Sequence, residues 1–501
     1  MPGHILISIR VIKVLSIFCL ALIIPKAWSK ESQRNLKCEV AIIGGGPGGL
    51  YSAFRLGPKL HNKTCLFEKE NRLGGRLYDV PSYPGGPVHG VGGLRVMEGQ
   101  DLVFALAKEL GITLEPGPYV DDMISARGAF AFDTEILRKE VYPLVSESES
   151  ALYDKLQFGP ERANVSRYPD YRSYVRAVAG KEEYFFLRDI SRFRGDYTYS
   201  LDAGGYMDWL DEEMNVCCTG YFPVGGMSEF PRRMANSAQR DGVRIFTSEP
   251  ALSIQGRGGH YFVRTPNHRV EAKHLIIAAD PHGFKSVTGN ISKRIQAQAQ
   301  FQHITGVKVA TVTQWFPYSW WNNLIEGRDV HRAWTTEACL NAIEIPKDKY
   351  AADQLVVRTV YTDDQDCVDF WDITFRQKGV EAVEAEINRG LKYLFPNADI
   401  PKPLKTIVQI WPAGWYFLGA GSNFTNSDIS QWAVRPLPGE AVSLVGDSYN
   451  PQRATWSDGA YKSAINTLNA LYGFDIRYQQ SRTDLAPKMK VGRHKGGLAR
   501  H

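Results

Sequence analysis

The sequence predicts an α/β protein in which a parallel sheet flanked by helices is assembled from separated stretches of chain, with a second domain inserted between them. Three observations carry this expectation. An apolar strand, Val40 to Ile43, runs into a glycine-rich turn and a helix; a second short strand, TCLFE, ends in an acidic residue 24 positions after Gly44; and VSLVGDSYNPQRATWSDGAYKSAINTL near the far end is a second signature of the same kind. Strand–turn–helix units of this kind build sheets with helices on both faces.

Taken in order, the first unit reads EVAIIGGGPGGLYSAFRL, and Gly44, Gly46 and Gly49 satisfy G-x-G-x-x-G between a strand and a helix. Gly44 allows the tight turn, Gly46 lets the backbone approach a pyrophosphate, and Gly49 lets the helix pack close to the strand. The helix N-terminus behind the turn offers unpaired N–H groups to a phosphate. Glu68 closes the second strand where an acid accepts the ribose hydroxyls of a dinucleotide. These features make the sheet Rossmann-like.

The segments that follow narrow the dinucleotide. RLGGR at Arg72 to Arg76, GGLR at Gly92 to Arg95, FPVGGMSEFP at Phe222 to Pro231, GVRIFTSEPALSI at Gly242 to Ile254, and VSLVGDSYNPQRATWSDGAYKSAINTL near the end resemble the motifs of the flavin amine oxidase family. The resemblance covers roughly residues 38 to 475. It implies an FAD-binding domain of glutathione-reductase-like type, with an inserted α+β substrate domain. By the same resemblance Gly75 and Arg76 meet the FAD phosphates, Gly93, Leu94 and Arg95 lie under the flavin ring, and the backbone near Ala251 contacts the adenine side. Asp447 stands where the family more often has glutamate, and Trp456, Ser457 and Ala460 begin the helix that caps the flavin. That helix would aim its positive end at the flavin N1 region. With no cysteine in the capping motif, the expected FAD is noncovalent.

The motif positions set the expected domains: 36–96, 220–300 and 404–475 for FAD, and 97–219 with 301–403 for substrate. Ahead of them, residues 1–29 have the layout of a secretory signal peptide. Arg10 and Lys13 precede an apolar run from Val14 to Ile24, then small residues at Ala27 to Ser29; the run is too short for a stable membrane span. Four N-x-S/T triplets, at Asn62, Asn164, Asn290 and Asn423, fit a secreted, glycosylated protein. Loss of the signal leaves six cysteines, which allows one to three disulfides without choosing their pairing. The formal charge of +5 owes much to a basic tail within 476–501, expected to be flexible, so no nucleic-acid partner is expected. No His/Cys cluster points to a metal.

For the chemistry, Lys308 in TGVKVATVTQWF resembles the family lysine that holds a water near flavin N5, where a positive charge assists the reaction of oxygen. Arg95 is the candidate clamp for a substrate carboxylate, because a guanidinium makes two parallel hydrogen bonds to it. Tyr361 resembles the tyrosine that assists. Trp456, with the aromatic run Trp411 to Phe417, is a candidate wall of the substrate space; His89 is a possible contact. The nearest resemblance within the family is to secreted L-amino-acid oxidases of molluscan type, which implies hydride transfer from an L-amino acid to FAD, reoxidation by oxygen, and release of a 2-oxo acid, ammonia and hydrogen peroxide. Two other functions fit the same motifs: an FAD-dependent double-bond isomerase of polyunsaturated fatty acids, whose carboxylate Arg95 would also grip, and a secreted FAD-containing binding or toxin protein without turnover.

Overall fold

The computed structural model describes residues 33–477 apart from 118–121, 214–218, 323, 326–327, 329 and 346–354, together with 499–500. The expected signal segment 1–29, Cys217 and Cys218, and most of the basic tail therefore lie outside the described residues. The chain opens with β1 (Arg34–Ile43), α1 (Pro47–Leu60) and β2 (Thr64–Phe67). It then leaves for the second domain, contributing β3 (Asp122–Ala126), β4 (Ala129–Ala131) and a set of helices that includes α2 (Lys181–Ile190) and α3 (Ala203–Glu213). It returns with α4 (Glu229–Arg240), β5 (Arg244–Phe246), β6 (Ser253–Arg257), β7 (His260–Arg264) and β8 (His268–Ile277). A second excursion lays down β9 (Ile304–Trp315), β10 (Arg332–Thr335), β11 (Asn341–Glu344), β12 (Val356–Thr362), α5 (Gln365–Lys378), α6 (Val380–Leu394) and β13 (Lys405–Leu418). Finally β14 (Val442–Leu444) and α7 (Ser457–Tyr472) close the first domain.

The first sheet runs β5-β2-β1-β8-β7-β6, with β14 also beside β8, and its β5, β2, β1, β8 and β14 are parallel. Its central strands are apolar on both faces, as a sheet covered on both sides requires. Val40, Ile42, Leu66 and Ile276 enter one core beneath α1 and α7. Ala41, Ile43, Phe67 and Ile277 enter the other. At roughly 1.5–3 kcal/mol for each large side chain buried, these two layers dominate the stability of this domain.

The second sheet runs β13-β9-β12-β11-β10-β3-β4, extended by residues 499–500 at its edge. One boundary differs from expectation. Residues 405–418, assigned from sequence to the FAD segment 404–475, pair antiparallel with β9 from Trp315↔Lys405 to Ile304↔Leu418 and belong to the substrate-side sheet. Sequence motifs mark where a cofactor is touched, and this strand carries none. Helices α5 and α6 cover one face of the sheet through Ala310, Val312, Val360, Trp371 and Ile387; the other face looks toward the flavin-side loops through Trp315, Val356, Val80 and Val91.

Two disulfides are formed, Cys38–Cys65 between neighbouring strands and Cys339–Cys367 between the β10–β11 turn and α5. Asn62 and Asn423 are exposed and Asn164 is half-buried. The exposed Asn290 already spends its side-chain amide on both backbone groups of Gly256. Among the described residues no helix is long and apolar enough to cross a membrane, and no group of three or more potential ligands is placed to hold a metal.

Candidate active site

The glycine-rich turn is shaped by what surrounds each glycine. Gly44 has φ +113°, and a Cβ there would fall 2.5 Å from the Ala278 carbonyl oxygen; one on Gly49 would fall 2.0 Å from the Gly44 oxygen. A Cβ on Gly46 would meet no protein atom within 4 Å, so this position alone of the three faces open space, as a backbone that receives a pyrophosphate must. Gly75, at φ +54°, brings the RLGGR loop against Gly46, and Gly74 N–H donates to the Gly45 carbonyl at 2.8 Å. Glu68 is buried and accepts from the N–H groups of Gly45 (2.6 Å) and Glu70 (2.8 Å). The segment before Ala251 is tied to the end of β2, with Glu249 N–H bonded to the Glu68 carbonyl.

Arg76 donates to the Gly414 carbonyl and the Asp447 carboxylate. Burial raises the Asp447 carboxyl, opposed by Arg76; burial alone would lower the Arg76 guanidinium, but Asp447 outweighs it and raises it. The GGLR loop rests on the same arginine's backbone, since Gly93 N–H bonds the Arg76 carbonyl and a Cβ on Gly92 would strike it at 2.0 Å. The first turn of α7 meets α1: a Cβ on Gly48 would lie 3.2 Å from the Ala460 oxygen and 2.8 Å from Val445. Trp456 N-caps α7, ahead of Ser457. An open cradle at Gly46, two helix N-termini and a buried acid at the second strand match the phosphates and ribose of FAD.

The substrate side is built by a local irregularity in β12. The register passes from Val312↔Val360 to Thr313↔Arg358, skipping Thr359. This bulge puts Arg358 and Tyr361, three residues apart, on one face, with the guanidinium 5.8 Å from the Tyr361 ring centre. Arg332, Glu344 and Arg358 are register neighbours across β10, β11 and β12, and Glu344 pairs with Arg358 at 3.2 Å. Burial opposes the ionised Glu344, but Arg358, Arg95 and Arg332 outweigh it and hold the carboxyl below its usual range. Arg332 and Arg192 both grip Asp122. Burial, then Arg358, push His89 down to about 4, so this imidazole is neutral.

Arg95 stands among these groups with its stem against Gly220, surrounded by Glu344, Arg332, Tyr361 and Arg192. It makes no hydrogen bond or ion pair with any described residue. Burial lowers its guanidinium from the usual value. Tyr361 is kept protonated by burial, reinforced by Asp363, and so remains a donor. The structure thus brings the predicted Arg95 and Tyr361 together.

Lys308 is not brought to this group. Along β9, Thr311 bonds the Val91 carbonyl on the flavin-side face and Trp315 packs with Val91 on that face, whereas Ala310 and Val312 pack toward α5. Alternation puts Lys308 on the α5 face, where its Nζ pairs with Asp369 at 2.7 Å.

The helical insert supplies residues that no motif announced. Phe193 meets Trp415 and Tyr361 edge-on, at 5.8 and 6.4 Å between ring centres. Glu213, at the end of α3, accepts the Trp456 indole N–H with both oxygens, at 2.8 and 2.9 Å, and burial pushes its carboxyl up to about 7. Of the remaining aromatic candidates, Trp411 bonds the Val91 carbonyl beside the GGLR loop, and Tyr416 donates to Asp280 at 2.6 Å.

Comparison with known proteins agrees with this arrangement. The family model described as flavin containing amine oxidoreductase matches residues 48–470. The chain is 21% identical to Aplysianin-A of Aplysia kurodai over 88% of its own length and 92% of that protein. It is also 21% identical to lysine-specific histone demethylase 1B of Mus musculus, over 90% of its own length and 54% of the relative's. A putrescine oxidase solved with putrescine bound shares the fold, with a TM-score of 0.63 at 17% identity, covering 88% of this chain and all of that one. The chain belongs to the flavin containing amine oxidoreductase family and is an FAD-dependent oxidoreductase.

Proposed function

We propose that the protein is a secreted oxidase of L-amino acids, with noncovalent FAD, that yields a 2-oxo acid, ammonia and hydrogen peroxide. The observation that carries this reading is Arg95, a half-buried guanidinium that makes no hydrogen bond or ion pair with any described residue, beside the donor Tyr361. A partly desolvated guanidinium is strengthened by a ligand carboxylate, which accepts two parallel hydrogen bonds from it. A diamine such as the putrescine of the structural neighbour has no carboxylate and would meet like charge here. The two disulfides and the exposed sequons at Asn62 and Asn423 support an extracellular setting.

When bound, FAD supplies the two-electron acceptor that oxygen regenerates. The chain's own part is orientation. Arg95 and Tyr361 fix the carboxylate, and Trp456, held by Glu213, bounds the space over the capping helix. Positioning of this kind supplies much of the barrier reduction where no dedicated base is needed. The test is oxygen uptake with peroxide detection on pooled L-amino acids, with arachidonic and linolenic acids followed by ultraviolet absorbance in parallel. Peroxide from the amino-acid pool supports the oxidase; conjugated-polyene absorbance without oxygen uptake replaces it with an isomerase.

A further inference from the structure

We propose that Phe193 is the residue that limits the size of the substrate side chain. This rests on the amino-acid reading above, in which Arg95 and Tyr361 hold the carboxylate. Phe193 belongs to the helical insert, in the turn after α2, and its position is set from several sides. Its N–H donates to Ser191 Oγ and its carbonyl accepts from the same hydroxyl, each at 3.0 Å. The preceding Arg192 is tied to Asp122 on the second sheet at 2.6 Å, and its guanidinium lies 5.5 Å from the Trp334 ring. Two residues on, a Cβ at Gly195 would sit 2.9 Å from the Asp363 carbonyl and carboxylate oxygens, so the turn is pressed against the residue that follows β12.

A ring held this firmly would ordinarily be covered, yet Phe193 is 39% exposed. Two neighbouring rings meet it edge-on: Tyr361, which is beside Arg95, and Trp415, which follows the flavin-side carbonyl of Gly414 that binds Arg76. An anchored aromatic that keeps open surface and packs on the tyrosine beside a guanidinium with no hydrogen bond or ion pair to any described residue is how a small-molecule pocket is lined. A carboxylate seated on Arg95 and Tyr361 therefore has Phe193 and Trp415 as its next neighbours, and the group extending from its α-carbon runs into the Phe193 ring. Because the ring is partly exposed and packs on only two aromatics, its truncation leaves no deep core void.

The experiment compares wild type, Phe193→Ala and Phe193→Trp holoenzymes on L-alanine, L-leucine, L-phenylalanine and L-tryptophan. Calorimetric binding of acetate and 2-naphthoate serves as a readout independent of turnover. We expect the ratio of kcat/KM for tryptophan over alanine to rise about tenfold or more in Phe193→Ala and to fall in Phe193→Trp. The naphthoate-over-acetate affinity ratio should move in the same directions. Ratios within about twofold of wild type in both variants, with FAD content and melting temperature retained, overturn the assignment. If wild type oxidises no L-amino acid, the amino-acid reading falls, and the naphthoate ratio by itself then decides whether Phe193 bounds the carboxylate site.

Discussion

Replacing Arg95 with methionine should have opposite effects on activity and stability. In the free enzyme the guanidinium is half-buried, desolvation disfavours its charge, and Arg332 and Arg192 repel it while Glu344 attracts it. Its removal forfeits no hydrogen bond or ion pair within the described protein. With an amino acid bound, the same group is expected to make two charge-assisted hydrogen bonds, each contributing about 1.5–3 kcal/mol. Their loss amounts to about 3–6 kcal/mol, or about 10² to 10⁴ in kcat/KM at about 1.36 kcal/mol per decade. Because the folded protein lowers the guanidinium pKa, the charged form is less favourable in the fold than in the unfolded chain, and the Arg95→Met holoenzyme should melt at or above the wild-type temperature. Steady-state peroxide production on a good amino acid and on the amine that lacks only its carboxylate separates the roles. The amino acid should lose the full factor and the amine should lose little. An equal loss on both substrates, at equal flavin content, would falsify the carboxylate clamp; a melting temperature several degrees lower would show that Arg95 is structural.

Gly46→Ala should fold but lose most of its FAD, because its Cβ enters space empty of protein, whereas Gly44→Ala should fail to accumulate, since it combines φ +113° with a 2.5 Å clash against backbone; the visible-to-ultraviolet absorbance ratio and a melt of each purified variant check this. Glu213, raised from 4.5 to about 7, binds its proton more tightly in the folded chain, so its contribution to stability falls as pH rises from about 4.5 to about 7 and stays constant above. Melting temperatures of Glu213→Gln should therefore match wild type near pH 4.5 and exceed it by a growing margin up to pH 7; a margin independent of pH would remove Glu213 as its source. Lys308→Met breaks an ion pair in which both side chains are nearly half exposed, so stability should fall by no more than about 1 kcal/mol. Reoxidation of the reduced enzyme by oxygen, followed in a stopped-flow instrument, should stay near the wild-type rate; its collapse would return Lys308 to the catalytic centre.

The part of the site legible in the sequence is the part made by contiguous backbone. Gly44, Gly46 and Gly49 act within one turn, and the structure gives each the surroundings expected of it. Glu68 likewise ends the second strand and reaches back to the turn. Lys308 shows where such reading stops. The strand around it is legible, but which face the side chain takes is set by the elements packed on it, and here Asp369 on α5, 61 residues further along the chain, claims the ammonium. Phe193 and Glu213 are invisible in the sequence for a related reason: each is placed by contacts with residues of other segments, Tyr361 and Trp415 for the one and Trp456 for the other, and neither sits in a repeat, spacing or motif.

By itself the sequence determined the Rossmann-like cofactor domain and the identity of the cofactor, because phosphate recognition by glycine turns and helix N-termini is local chemistry. Only the tertiary structure decided which residues gather around the candidate carboxylate clamp. They converge from positions 95, 193, 332, 344, 358, 361 and 415, and a single bulge at Thr359 puts Arg358 and Tyr361 on the same face. Strand parity, bulges and long-range pairing are set by packing free energy summed over the whole sheet, which no short window of residues contains.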